Sequence, residues 1–254
     1  MKFGKPASKE ELESIDLNLP EDHPDTPKNL AKGNKSVEVY VGCAKWGRKE
    51  WVGLIYPPKT RDKDFLKHYV KNFNSIELNT TFYSIKKENV ESWTAQAPEG
   101  FKFCPKFSRS ISHLKRLNDD SKRFTDYFLE AAYSFDDKLG PAFLQMPNNY
   151  TPKYLDRLAG YLQDIPEDFS MFIELRHPDW FSDPVVYDET FHMFEEYGRG
   201  AVITDVATRR DVLHQRLTNT KAFVRFNGYD FHPTDFTRMD QWVEKDQILD
   251  RKRP

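Results

Sequence analysis

Short apolar runs broken by charged or amide residues recur along this chain, the clearest at residues 75–81 (SIELNTT) and 171–177 (MFIELRH). A buried strand accommodates Glu or Arg only where the charge is paired or reaches a wet pocket, because an unpaired buried ion costs several kcal/mol. Several such strands, each with its polar residues on one face, predict a shared polar mouth.

From residue 37 onward, strand-like and helix-like patterns alternate. Strand patterns fall at 37–43 (VEVYVGC), 75–81, 101–107, 141–147, 171–177, 201–205 and 222–228. Between them, residues 62–73 place Phe65, Leu66, Tyr69, Val70 and Phe73 on one helical face. Further helices are expected at 88–97, at 119–135, from Pro152 onward, and at 185–197 before Gly198. A last amphipathic helix carries Met239, Trp242, Val243 and Leu249. Strand–helix alternation of this kind implies an α/β fold with a parallel sheet and right-handed crossovers. An open sheet would bury both strand faces under helices, whereas these strands keep one side polar, which favours a TIM-type (β/α) barrel. Only polar, basic residues follow the last helix, so the barrel is expected to lack a complete eighth strand. The open edges on strands 1 and 7 would then invite a partner or a homodimer.

Residues 1–36 are Pro-rich and polar, and every charge between Glu10 and Asp25 is acidic, so this stretch is expected to be a loosely attached arm beside a barrel domain at 37–254, a strap across the barrel base being the other option. A chain of 254 residues with 38% hydrophobic content is long enough for one large core. The formal charge of −2 gives no bulk electrostatic footprint for nucleic acid. Cys43 and Cys104 sit in no metal-binding or redox spacing, as expected of a reduced cytoplasmic protein. No apolar run reaches the ~20 residues of a membrane span, and no membrane association is expected. Aromatic residues make up 15% of the chain, a surplus expected to line a ligand cleft.

Side chains alternate along a strand, so the apolar set fixes which residues turn inward. Ile76 and Leu78 turn Glu77, Asn79 and Thr81 inward; Ile173 and Leu175 do the same for Glu174 and Arg176; Val224 and Phe226 for Arg225 and Asn227. The same parity points Lys106, Gln145 and Asp205 into the mouth, all toward the C-terminal strand ends where barrel enzymes assemble their sites. Acidic and basic groups balance here, which also fits an ion-pair lattice filling the barrel. The amides of Asn79, Gln145 and Asn227 have no charge to balance and favour a ligand site. Trp46, Tyr83, His113 and Trp180, in the loops after these strands, complete an aromatic and cationic rim.

The segments VGCAKWG, FNSIELNTTFY, PEGFKFCPKF, ISHLKRL, LGPAFLQMP, IELRHPDWF and AFVRFNG, in this order across roughly residues 39–230, resemble the recurring motifs of the domain-of-unknown-function 72 family. The resemblance implies a TIM-type barrel with a polar cleft at the strand C-termini, and it supplies no substrate. Two departures stand out. Asn227 occupies a position where family members usually have His, and the eighth strand usual in the family, with its Asn- and Ala-rich segment, is missing.

Two chemistries follow from the polar mouth. In the first, Glu174, Glu77 and Asp205 are the candidate catalytic groups of a hydrolase or lyase acting on a sugar-like or anionic small molecule. One carboxyl group is held ionised by Arg176 and another stays protonated by burial. Asn79, Tyr83, Lys106, His113, Gln145, Arg176, Arg225, Asn227, Trp46 and Trp180 would bind the substrate. In the second, Lys106, Arg176, Arg225 and the basic loop at 109–116 bind or cleave a phosphate-bearing ligand such as a nucleotide, with nucleic acid the less favoured form of that ligand. A metal site is not expected, because the inward cations repel a divalent ion, and no cofactor is implied. A degenerate, non-catalytic barrel is the remaining alternative.

Overall fold

The computed structural model describes residues 8–33, 36–229 and 232–251. In chain order its elements begin with α1 (Lys9–Glu13), α2 (Thr26–Leu30), β1 (Gly42–Cys43), α3 (Phe65–Tyr69), β2 (Ser75–Leu78), α4 (Lys87–Thr94), β3 (Lys102–Pro105) and α5 (Lys122–Tyr133). They continue with β4 (Ala142–Gln145), α6 (Leu155–Gln163), β5 (Met171–Glu174), α7 (Asp179–Ser182), α8 (Pro184–Glu196), β6 (Gly200–Val206), β7 (Phe223–Asn227) and α9 (Pro233–Arg251). This is an α/β architecture with parallel strands. The chain divides into two compact units, one of Asn34–Pro147 with Lys153–Ile173, the other of Met1–Gly33, Asn148–Pro152 and Glu174–Pro254.

In the first unit β1, β2 and β3 pair in parallel, with Gly42 opposite Ser75 and the register Ser75–Lys102 to Leu78–Pro105. Gly42 has no substitute here, because a Cβ would lie 2.2 Å from the Ser75 carbonyl oxygen. Bridges Phe103–Leu139 and Lys106–Phe143 carry the pairing toward β4, which is hydrogen-bonded to β5. The strands are shorter than the apolar runs predict, for local reasons. The run at 37–43 keeps only Gly42–Cys43 as strand, because beside Val39 and Val41 the Asn74 side chain takes the place of a main-chain partner. Chain beyond Leu78 turns into a 3-10 segment, Asn79–Phe82, pinned by Thr81, whose hydroxyl lies 2.8 Å from the Leu78 and Lys106 carbonyls and accepts the Lys106 N–H. Thr81 is therefore a staple between strand ends and not a mouth residue.

Much of the aromatic surplus packs in this unit's core. Phe107 stacks on Phe128 at 4.4 Å and Phe103 on Phe135 at 5.0 Å, while Phe169 meets Phe107 edge-on. The period of α5 puts Thr125, Phe128, Leu129, Ala131 and Ala132 on its buried face. Such rings bury large apolar areas and gain about 0.5–1.5 kcal/mol per favourable pair beyond that burial.

In the second unit β6 and β7 are parallel, in register from Val202–Phe223 to Val206–Asn227. α8 starts where the Asp183 carboxylate accepts the N–H groups of Val185 and Val186 ahead of Pro184 at the first turn, and Gly198 follows it at φ 64°. Within the stretch expected to be a loose arm, residues 25–29 are bonded to the rest of this unit. Thr26 and Asn29 are buried, the Thr26 hydroxyl donates to Gln215 O and accepts from Leu217 N, and Asn29 Nδ2 donates to Leu217 O. Asp25 adds an ion pair to Arg216 at 3.1 Å. A polar composition hid this docking because the bonds come from Thr and Asn side chains meeting main chain.

Candidate functional site

In the first unit, two residues predicted inward from neighbouring strands meet. Lys106, just past β3 and only 8% exposed, donates from Nζ to Gln145 Oε1 at the end of β4 (2.9 Å). The same ammonium lies 4.6 Å from the Phe82 ring centroid and 5.7 Å from that of Phe143, a cation–π setting that stabilises a desolvated charge. His113 packs edge-on against Phe82 at 5.0 Å, so Lys106 and His113 share one aromatic partner. His113 belongs to a π-helical turn, Ser110–Leu114, followed by Arg116 and Leu117 at φ 51° and 60°. Side-chain-bearing residues rarely hold that conformation, and a π turn beside it is a local departure of the kind often found at binding sites.

Glu77, half-buried on β2, accepts from Asn79 Nδ2 at 2.7 Å, and the same amide reaches Ala44 O at 3.2 Å. Trp46 is half-buried and packs edge-on against Trp93, while Tyr83 is 80% exposed against Phe82.

In the second unit, Glu174 at the end of β5 is fully buried, with Arg176 Nε on Oε1 at 2.5 Å and Arg225 Nη1 on Oε2. Burial alone would raise this carboxyl's pKa. The charges of Arg225 and Arg176, with their hydrogen bonds, outweigh it and hold the group below the ordinary carboxylate range. Glu174 is thus an ionised carboxylate at neutral pH, with both oxygens occupied by guanidinium donors. Such a group orients its arginines and cannot serve as a general acid.

Asp205, on β6 and also fully buried, receives Arg210 Nη1 and Arg238 Nη1 on Oδ1, each at 2.7 Å, and Trp242 Nε1 on Oδ2 at 2.7 Å. Arg238 continues to the carbonyls of Asp205 and Asn227 and to Asp235. Asp205 therefore ties β6 to the end of β7 and to α9, a bracing role in place of the catalytic one its parity suggests. Trp180, expected on the rim, is fully buried, stacks on Tyr150, and spends its only donor on Tyr150 O at 2.6 Å. It is a packing residue. The bracing partners Arg210, Arg238 and Trp242 escaped the strand-parity reading because they lie after the strands, on a turn and a helix. The signal available for them was an acidic strand end followed by arginines.

The family model described as "Protein of unknown function DUF72" matches residues 40–253. The chain belongs to the DUF72 family. Among curated proteins, this DUF72 chain is 29% identical over 226 residues to the UPF0759 protein YecE of Escherichia coli K12, covering 82% of the chain and 80% of that protein. It is 29% identical over 171 residues to the UPF0759 protein YunF of Bacillus subtilis 168, covering 63% of the chain and 58% of YunF. Two crystal structures of a DUF72 family protein from Enterococcus faecalis V583 share its fold. One superposes with a TM-score of 0.59 at 21% identity, covering 75% of this chain and 71% of that one. The other gives 0.57 at 19% identity, covering 81% and 84%. None of these names carries a reaction.

Among the described residues, no group of three or more His, Cys, Asp or Glu side chains is placed to hold a metal ion. No helix of the described residues is long and apolar enough to cross a membrane.

Proposed function

We propose that this DUF72 protein binds a small anionic ligand at the C-terminal ends of its strands, with Arg176 and Arg225 as the anchoring charges. The reading takes the strand–helix order as that of an incomplete (β/α) barrel, whose strand ends are where ligands gather. One observation carries it: Glu174 is ionised, buried and committed to two guanidinium groups, which fixes their planes in advance of any ligand. Planar guanidinium forks held by a buried carboxylate are suited to carboxylate or phosphate oxygens. A hydrolase or lyase built on paired carboxyl groups needs one of them protonated at neutral pH. Glu174, held ionised by its two guanidinium partners, does not supply it.

The test is a thermal-shift series with inorganic phosphate, pyrophosphate, citrate and neutral sugars. The expected result is stabilisation by one class of anion, about 2.7 kcal/mol at a hundred times Kd, weakened by added salt and lost in Arg176→Ala. Arg176→Lys, which keeps the charge and loses the fork, should retain only part of it. Stabilisation by a neutral sugar alone, or an anion effect untouched in Arg176→Ala, would overturn the reading in favour of carboxylate chemistry.

A further inference from the structure

Residues 37–41, ahead of β1, read V-E-V-Y-V, and they are exposed although four of the five are apolar or aromatic. Val37 is 52% exposed, Val39 64% and Val41 59%. The inner side of this segment is occupied: Asn74 Oδ1 accepts Val41 N at 2.7 Å, Asn74 Nδ2 donates to Val39 O at 2.8 Å, and Cys43 N donates to the Tyr69 hydroxyl at 2.6 Å. Main-chain groups of alternate residues face opposite sides of an extended chain. With residues 39, 41 and 43 facing inward, the N–H and C=O groups of Glu38 and Tyr40 face outward. No group among the described residues bonds them. β1 is the outer strand of its three-stranded sheet, so this is an unpaired edge flanked by valines, the kind of edge that templates pairing with another chain.

We propose that this edge pairs with the same edge of a second copy, as a two-fold antiparallel strand pair centred on Val39. The sequence complements itself about Val39, which fits a second copy as the partner. In that register Val37 faces the partner copy's Val41 and Val39 faces its own equivalent, so one face of the pair carries valines alone. On the other face each Glu38 lies opposite a Tyr40, and no like charges meet. The Tyr40 hydroxyl already donates to Glu38 Oε2 at 3.0 Å within one chain, which keeps that carboxylate off the valine face. The outward-facing residues, Glu38 and Tyr40, are also the ones that must exchange N–H···O bonds in this register, while Val39 falls at a non-hydrogen-bonded pair. Any register centred one residue away places Glu38 or Tyr40 opposite its own equivalent and breaks the match. A closed two-fold interface of this type needs no second patch. The contact is small beside the ~1,600 Å² of a standard interface, so the dimer is concentration-dependent.

The experiment is sedimentation velocity on the full chain from low to high micromolar concentration, with a cysteine probe as second readout. Expected are a concentration-dependent dimer, its loss in Val39→Lys with an unchanged melting temperature, and its retention in Leu54→Lys, a substitution at another exposed apolar site of the same unit. Antiparallel non-hydrogen-bonded pairs bring Cα atoms to about 4.5 Å, within the range a disulfide bridges. In a Cys43→Ser background, mild oxidation should therefore cross-link Val39→Cys and leave Val41→Cys and Leu54→Cys monomeric. A chain monomeric at every concentration, a dimer that survives Val39→Lys, or equal cross-linking of all three cysteine variants would overturn the proposal.

Discussion

Replacing Glu174 by Gln removes a buried negative charge that bonds both Arg176 and Arg225 in the second unit. Two guanidinium groups left facing a neutral amide in a buried site should cost about 3–5 kcal/mol, read as a lower urea midpoint at pH 7. The same pair sets a pH dependence. Glu174 has a folded pKa below its unfolded value, so its stabilising contribution is present above about pH 4.3 and fades as pH falls further toward the folded pKa. A buried histidine adds a second window. His214 Nε2 lies 3.1 Å from Val202 O and its Nδ1 accepts Arg216 N, so the neutral ring satisfies both neighbours. Burial, aided by the nearby Arg216 charge, pushes its pKa down to about 4. Between pH 6.5 and 4 the unfolded chain binds a proton at this ring and the folded chain does not, so stability falls with pH by at most about 3 kcal/mol. His214→Gln should flatten the unfolding free energy in that window alone. An unchanged slope in the variant would remove His214 from the account.

At the scale of elements, α9 is held to the sheet of the second unit by Asp205, which binds Arg238 and Trp242 from that one helix. Trp242→Phe keeps most of the ring and takes away the donor to Asp205 Oδ2. A buried acceptor stripped of its partner costs about 1–3 kcal/mol, whereas Val243→Ala, at an exposed position next door, should stay within about 0.5 kcal/mol of wild type. Urea unfolding of the two variants side by side measures the difference, and equal midpoints would show that the Asp205 bond is idle. The strands and helices themselves were legible because their periods are local. The alternation in SIEL and MFIE and the helical stripe at 122–133 can be read without knowing any neighbour. Parity likewise placed Lys106 and Gln145 where they meet. What escaped was whatever depends on distant partners, including the end of β2 at Leu78, decided by Thr81 reaching Lys106, and the burial of Trp180, decided by Tyr150.

At the scale of the whole chain, neither compact unit is a continuous stretch, and no composition shift marks the crossings after residues 33, 147, 152 and 173. Contacts between segments far apart in sequence have no local signature, which is why patterning reveals elements and not this grouping. The connectivity nevertheless makes a prediction. The second unit's segment Asn148–Pro152 is held at both ends by the first unit. Fully stretched, so short a segment spans at most about 17 Å, too little for the second unit to unravel completely while the first stays folded. The segment 153–173 also starts and ends at the second unit, but stretched it could span about 70 Å, so the short-linker restraint bears on the second unit. Native-state hydrogen exchange in rising urea should therefore give the slowest amides of β6, in the second unit, an opening free energy no more than about 0.5 kcal/mol below that of β4, in the first. If β6 amides open well below those of β4, the second unit melts on its own and the crossings impose no cooperativity. Equal values, with one urea midpoint by fluorescence and by circular dichroism, would make the crossings the cause of two-state unfolding in a chain of this length.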